Sequence, residues 1–327
     1  MSSKPKIYVT RILTPTFQDR LEALKSKYDI RQWTEDSLIP RPIMLEAIKG
    51  SAGVIVLITN QVDQDFLDAA GPTLKVVSTM SVGYDHVNIT LCKSREIRIG
   101  NTPDVLTDTT AELAIALLLA TARRFGEAAA SVKNGTWGPW EPNGMLGSQI
   151  RGKTMGIVGL GRLGFGVLEK IQGFKLSTLL YYNPREKRDL AKKVNAIYSP
   201  SLDALLSQSD FVVITSPYND KTHHMINAST LAKMKKTAVL INISRGGLVN
   251  QEDLYVALKN GVIAYAGLDV TTPEPLSTSS PLLTLDNCFV IPHIGSATIE
   301  AREAMANLAL DNCIAALEDK AMPAEIL

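Results

Sequence analysis

The hydrophobic pattern changes period along the chain, and the change predicts the architecture. Short β-branched runs at 6–10, 54–58 and 75–79 alternate with helix-length amphipathic segments such as 17–27 and 43–49, the rhythm of βαβ units. The first hundred residues therefore predict one small α/β layer. Near Pro103 the pattern gives way to a long helix at 109–122, where Thr109-Thr110-Ala111-Glu112 offers a capping box and Arg123 and Arg124 close an apolar run. A helix apolar on all sides has to be buried, and a place between domains would bury it. A second alternating series starts at Thr154, with strands expected at 155–158, 179–182, 211–215, 238–243, 264–270 and 288–291 and helices between them. Six such strands predict a doubly wound, mostly parallel sheet of dinucleotide-binding type. Residues 297–317 read as one long amphipathic helix that returns to the first domain and makes it discontinuous.

Composition narrows the function classes. A chain of 327 residues, at about 100–200 residues per domain, is expected to form two domains. Lys+Arg number 34 against 33 Asp+Glu, a net charge of +1, so no broad field is available to hold nucleic acid or anionic lipid, and neither partner is expected. With 45% hydrophobic and 20% charged residues the whole chain is expected to fold. Cys92, Cys288 and Cys313 show no CxxC or Cys/His spacing, which predicts three reduced thiols, no disulfide framework and no metal site. The segment MSSKPKIYVTRILTPTF has no apolar signal-peptide core, and the greasiest stretch, 113–122, falls short of the ~20 residues of a membrane span. The final Ala-Glu-Ile-Leu at 324–327 is no SKL-type peroxisomal address, so a soluble, cytoplasmic protein is expected.

The first chemistry-bearing motif is Gly159-Leu160-Gly161-Arg162-Leu163-Gly164, a G-x-G-x-x-G placed directly after an apolar strand and at the start of a helix. In that context Gly159 permits the tight turn, Gly161 lets backbone approach a pyrophosphate and Gly164 lets helix pack on strand. The helix N-terminus adds unpaired N–H groups, so backbone at Arg162 and Leu163 is expected to touch the cofactor phosphates. The next strand should end in the reader of the adenosine ribose, and it ends Tyr181-Tyr182-Asn183-Pro184-Arg185. No carboxylate stands there to repel a 2′-phosphate, while Arg185, Lys187 and Arg188 add cations. This pattern favours NADP(H), with NAD(H) possible; the alternative is a solvated helix start.

Three later segments put unusual residues at the C-terminal ends of strands, where open α/β sheets bind ligands. Arg245, in Ile243-Ser244-Arg245-Gly246-Gly247, can approach a ligand closely, and its fork suits a carboxylate beside a carbonyl. Glu274 is pinned between Pro273 and Pro275, although taken alone it also reads as a loop residue, as Arg245 reads as a turn arginine. Of four histidines, His293 follows a β-run and precedes Gly295-Ser296; His86, His223 and His224 read as surface or structural residues. A carboxylate accepting from one imidazole nitrogen favours the charged ring and leaves the other nitrogen to act as an acid on a carbonyl.

At this point the chain resembles the D-isomer-specific 2-hydroxyacid dehydrogenases. The resemblance runs from Ser81-Val82-Gly83-Tyr84-Asp85 through Asn101-Thr102-Pro103-Asp104-Val105 and the glycine-rich loop to Pro292-His293-Ile294-Gly295-Ser296. Within that family it looks most like the glyoxylate/hydroxypyruvate reductases, across 242–275, Pro281-Leu282-Leu283-Thr284-Leu285 and Met322-Pro323. The resemblance implies an α/β protein of two doubly wound parallel-sheet domains: a Rossmann-type nucleotide domain at 103–296 and a flavodoxin-like, split substrate domain at 1–102 and 297–327, with the active site in the cleft between. It implies a catalytic triad of Arg245, Glu274 and His293, and a substrate carboxylate held by Val82 and Gly83 backbone N–H groups, a small anion nest, with Ser296 at the substrate. Thr107, Ser216, Pro217, Thr222, Ile243, Asp269 and Gly295 match cofactor-lining positions, Asp269 near the nicotinamide amide. Family members usually form homodimers through the nucleotide domain, and Trp137-Gly138-Pro139-Trp140 would then reach the partner's site or pack in a core. Leu57 is a candidate wall of the substrate pocket.

The activity implied is reduction of glyoxylate and hydroxypyruvate by NADPH to glycolate and D-glycerate. Formate and phosphoglycerate dehydrogenases share the fold; Glu274 rather than an amide beside His293 speaks against the first, and the lack of a regulatory domain speaks against many of the second. A dinucleotide-sensing, corepressor-like module is the rival of another class, and such modules prefer NAD-type sites.

Overall fold

A parallel strand buried on both faces needs a continuous apolar run, and the strands of this chain have that composition. The computed structural model describes residues 4–326. In chain order the first elements are β1 (Lys6–Val9), α1 (Pro15–Leu24), β2 (Asp29–Gln32), α2 (Arg41–Ala47), β3 (Gly53–Val56), α3 (Gln64–Ala70), β4 (Val76–Thr79), α4 (Ile89–Ser94) and β5 (Arg98–Gly100). Then come α5 (Thr107–Ala122), α6 (Phe125–Lys133), β6 (Thr154–Val158), α7 (Arg162–Ile171), β7 (Thr178–Tyr182), α8 (Arg188–Lys193), β8 (Ile197–Tyr198), α9 (Leu202–Gln208) and β9 (Phe211–Ile214). The series closes with α10 (Ala228–Leu231), β10 (Val239–Asn242), α11 (Gln251–Lys259), β11 (Tyr265–Leu268), β12 (Cys288–Val290) and α12 (Ile299–Leu317).

The chain divides into a unit of Met1–Leu106 with Ser296–Leu327 and a unit of Thr107–Gly295. Met1–Ser3 and Leu327, which the expected split domain includes, lie outside the described residues. The expected break at 102/103 falls four residues later, because Thr102 N–H donates to Ser81 O at 2.8 Å and Leu106 packs with Val9, Val76 and Met305. At the other end the break falls at 295/296 rather than 296/297.

In the first unit the sheet order is β2-β1-β3-β4-β5, all parallel, the flavodoxin-like doubly wound order. Side chains alternate across it. Ile7 and Val9 face a core with Phe17, Leu21, Leu310 and Cys313, and Tyr8, Val54 and Val56 face one with Phe66, Val77 and Ile99. The returning helix α12 packs on β3, β4 and β5, capped by Thr298, whose hydroxyl accepts from Ala301 N–H at 3.2 Å.

In the second unit the order is β12-β11-β10-β9-β6-β7-β8, again parallel throughout. The chain leaves β6 toward β7 and β8, then crosses back to β9, so the strand order reverses beside β6, the switch point at which such sheets bind ligands. The sheet has seven strands, not six. The extra one, β8, is two residues long and pairs only with β7, too short to show a period. The long helix starts at Thr107, which places Thr109 inside its first turn rather than at a cap, and Arg124, at φ 55°, ends the run before α6 begins. Its apolar girth is accounted for inside this unit: α5 packs on α7, β10 and β11. Leu118, 1% exposed, sits in that core with Met155, Val213 and Ile241. Leu118→Ala is expected to lower the unfolding free energy by about 2–5 kcal/mol, read as a fall in urea midpoint at unchanged slope.

Candidate active site

The glycine-rich loop joins β6 to α7 at the switch point. Gly159 has φ 106°, and a Cβ on Gly164 would lie 2.5 Å from Gly159 O, so neither position accepts a side chain. At Gly161 a Cβ would meet open space. Gly161 also occupies the N-cap of α7, where no side-chain cap bond is made, at the positive end of the helix dipole. Ser216 does not point outward; its hydroxyl donates to Val158 O at 2.9 Å while Thr215 donates to Gly159 O at 2.6 Å, so the end of β9 pins the turn. Pro217 is exposed, and Thr222 bridges to it by donating to Pro217 O at 2.8 Å.

Asn183 Oδ1 accepts Leu160 N–H at 2.6 Å, which ties the end of β7 to the glycine-rich loop. Two tyrosines hold the segment that follows: Tyr198 donates to Asn183 O at 3.2 Å and Tyr181 Oη accepts Lys187 N–H at 3.1 Å. Arg185 is exposed, whereas Arg188 pairs with Glu186 at 2.7 Å, a carboxylate inside the basic stretch.

The three chemistry-bearing segments lie at the ends of β10, β11 and β12. Buried Asn242 shapes the first: its Nδ2 donates to Arg245 O at 2.9 Å and its Oδ1 accepts Ser244 N–H at 3.1 Å. Gly246 lies so close to Thr271 that a Cβ would sit 2.1 Å from that residue's carbonyl, which brings the Arg245 turn against the segment carrying Glu274. Gln251 brackets the peptide of Thr272, accepting its N–H at 2.9 Å and donating to its carbonyl at 2.5 Å. Glu274 Oε1 accepts Thr271 N–H at 3.0 Å and Oε2 lies 2.7 Å from His293 Nδ1. An ionised carboxylate only accepts, so Nδ1 carries the proton and Nε2 is left for another partner.

His293 has φ 50°, a left-handed conformation uncommon outside glycine. Asp269 imposes it. The Asp269 carbonyl accepts His293 N–H at 2.8 Å, and its carboxylate accepts Ile294 N–H at 2.7 Å and Gly295 N–H at 2.9 Å. Burial raises the pKa of this 1%-exposed carboxyl above the ordinary range, against the pull of the two N–H groups and of His293. Burial also opposes ionisation of Glu274, but there the His293 hydrogen bond and charge, Thr271 N–H and the Arg245 guanidinium outweigh it and hold the carboxyl below the usual range.

Arg245, Glu274 and His293 are thus brought to one end of the sheet, with Asp269, Ile243 and Gly295 buried around them. Thr107 begins α5 beside Gly166. In the other unit, Val82 is exposed and Gly83 half-buried in the turn after β4, Ser296 is half-buried ahead of α12, and Leu57 follows β3 with its N–H on Asn60 Oδ1 at 2.9 Å. Trp137 and Trp140 are 75% and 85% exposed, which removes core packing as their role. The roles of Asn242 and Gln251 escaped the sequence reading: Asn242 lies inside the Arg245 segment and bonds the backbone two and three residues on, while Gln251 reaches a peptide 21 residues away.

Residues 115–295 match the family model for the D-isomer specific 2-hydroxyacid dehydrogenase NAD binding domain. A human glyoxylate reductase/hydroxypyruvate reductase is 46% identical over 98% of this chain and 97% of its own. The chain belongs to the D-isomer specific 2-hydroxyacid dehydrogenase family. Among solved structures of the family, a glyoxylate reductase from Paecilomyes thermophila superposes with a TM-score of 0.89 at 28% identity, covering 100% of this chain and 99% of that one. An NADPH-dependent glyoxylate/hydroxypyruvate reductase from Sinorhizobium meliloti, in complex with NADP and malonate, gives 0.82 at 31% identity, with 99% and 97% covered. As a D-2-hydroxyacid dehydrogenase the chain is an NAD(P)-dependent enzyme, and the open backbone at Gly161 with the uncapped α7 fits the pyrophosphate of a nicotinamide dinucleotide. Among the described residues no cluster of His, Cys, Asp and Glu could hold a metal ion, and no helix is long and apolar enough to cross a membrane.

Two predictions follow the geometry. Gly164→Ala is expected to weaken dinucleotide binding at least tenfold, about the effect of losing one well-made contact to a charged group, as read by cofactor fluorescence titration of folded protein. Because the folded pKa of Glu274 is depressed, its ionised form stabilises the fold above the ordinary Glu value of about 4.3, and that contribution is lost as pH falls through the folded value. The stability gap between wild type and Glu274→Gln should be wide at neutral pH and close below about pH 4 in urea unfolding, whereas a gap of constant size would refute the depression.

Proposed function

We propose that this chain reduces glyoxylate and hydroxypyruvate to glycolate and D-glycerate with NADPH as the preferred reductant. The observation that carries the reading is the 2.7 Å contact of Glu274 with His293 Nδ1, which orients an acid at the sheet end where Arg245 also lies. The names of the human and Sinorhizobium relatives support the substrate class. When bound, the dinucleotide supplies a hydride to C2 of the oxo acid. His293 gives the Nε2 proton to the oxygen as charge develops there, and Glu274 holds the ring by Nδ1 throughout. Arg245 offers a planar fork to the carboxylate and the adjacent oxygen; Val82 and Gly83 N–H groups and Ser296 take the rest of the carboxylate.

Preference for NADPH is supported by the absence of a carboxylate at Asn183 and by the exposed Arg185 and Lys187. Since Asn183 Oδ1 is taken by Leu160, recognition of the 2′-phosphate falls to those cations and to the free end of the Asn183 amide. Self-association is supported by α6, which buries none of its residues, and by Phe125, Val132, Trp137, Trp140 and Leu146, each more than half exposed. An apolar surface of that kind is covered in an assembly, and a second copy is the occupant we assign, with Trp140 reaching across.

Initial rates with NADPH and NADH against glyoxylate and hydroxypyruvate test the reading; a higher kcat/KM with NADH would overturn the cofactor assignment. His293→Ala is expected to lower kcat by about 10²–10⁴ with NADPH affinity retained, and loss of NADPH binding in that variant would contradict its role. The mass in solution should be that of two chains, and Phe125→Arg with Trp140→Arg should halve it.

A further inference from the structure

A buried polar chain in the first unit has no part in the chemistry above. It starts at His86, which is 5% exposed, and ends at the Val82-Gly83 turn. His86 Nε2 lies 2.9 Å from Thr79 Oγ1, Thr79 Oγ1 lies 2.8 Å from Ser81 Oγ, and Ser81 Oγ donates to Gly83 O at 2.6 Å. Each hydroxyl has one proton, so the direction of the chain is set from its end. Gly83 O can only accept, which uses the Ser81 proton; Thr79 must then donate to Ser81, and His86 must present Nε2–H to Thr79.

The same turn has its other carbonyls drawn inward. Ser81 O accepts Thr102 N–H at 2.8 Å and Val82 O accepts Asn101 Nδ2 at 2.9 Å. With three successive carbonyls satisfied on the inner side, the N–H groups of Val82 and Gly83 have no acceptor among the described residues. Two adjacent amides left unpaired in a turn make an anion-binding concavity. Val62 N–H donates to His86 O at 2.9 Å, so the backbone of residue 86 is anchored independently of its side chain.

We propose that His86 is a positioning residue which, through Thr79 and Ser81, fixes the Val82 and Gly83 amides for the carboxylate of the 2-oxo acid. The proposal rests on the reading that those amides hold the substrate carboxylate. A side chain acting this way contributes to binding in the ground state and the transition state alike, so its loss raises KM and leaves kcat in place.

The test uses the full enzyme with saturating NADPH. His86→Phe removes the Nε2 donor, His86→Gln restores an N–H at the end of the side chain, and Ser81→Ala removes the hydroxyl that holds Gly83 O. KM for glyoxylate and, independently of turnover, the Kd of oxalate by calorimetry are measured with kcat and the NADPH Kd. His86→Phe and Ser81→Ala are expected to raise KM and the oxalate Kd by about tenfold, with kcat and NADPH affinity near wild type and His86→Gln recovering most of the loss. Wild-type KM and oxalate affinity in folded Ser81→Ala overturns the proposal, and that variant decides the matter if His86→Phe does not fold. A joint loss of kcat, KM and NADPH affinity that His86→Gln fails to rescue also overturns it, since it marks a structural role. If the wild type itself neither reduces a short 2-oxo acid nor binds oxalate, the substrate reading fails first and the proposal fails with it.

Discussion

A buried carboxylate at Asp269 receives two successive backbone N–H groups, from Ile294 at 2.7 Å and Gly295 at 2.9 Å, while its own carbonyl takes the N–H of His293. Three consecutive amides are thereby fixed from one residue just past the end of β11. The chain cannot relax around His293, whose φ of 50° would otherwise revert to a commoner region. The left-handed turn brings Nδ1 to Glu274, and that contact gives the imidazole a defined tautomer. Burial works against the charge on Asp269, so a carboxyl whose ionised form is costly in the core sets the direction of one side chain.

The same logic recurs around the site. Asn242 shapes the Arg245 turn, Gln251 brackets the Thr272 peptide, Ser216 and Thr215 hold the carbonyls under the glycine-rich loop, and Asn183 takes the Leu160 amide. Each is a side chain spent on backbone, and each holds a backbone group at or just past the C-terminal end of a parallel strand. A parallel sheet ends there in loops whose amides and carbonyls have no ladder partners, so rigid presentation of a reacting group requires polar side chains to replace the ladder. The His86–Thr79–Ser81 chain after β4 is the counterpart in the flavodoxin-like sheet.

How much of this was legible in the sequence depends on whether the signal is local. The glycine-rich loop was readable because three glycines, a strand and a helix occupy adjacent positions, and α12 because it is a long Ala- and Leu-rich run without Gly or Pro. The strands β2, Asp-Ile-Arg-Gln, and β8, two residues, were not, since neither carries a period and both are strands only by pairing with a better-defined neighbour. The start of α5 was misplaced because Thr109 and Glu112 imitate a capping box one half-turn inside the helix. Asn183 was legible as the absence of a carboxylate, but its bond to Leu160 was not, because nothing in sequence marks which way an amide turns. His86 read only as a surface or structural residue for the same reason: its chain of hydroxyls exists only once the turn is folded.

The central claim is that Asp269 sets the position of His293, and the kcat of Asp269→Asn, measured beside its unfolding midpoint, tests it most directly. The amide retains one acceptor oxygen and turns a donor toward the other backbone N–H, so the three-amide clamp cannot close. The account predicts a folded protein whose kcat falls at least about tenfold because the acid is displaced from its productive geometry. A folded Asp269→Asn enzyme with wild-type kcat would contradict it.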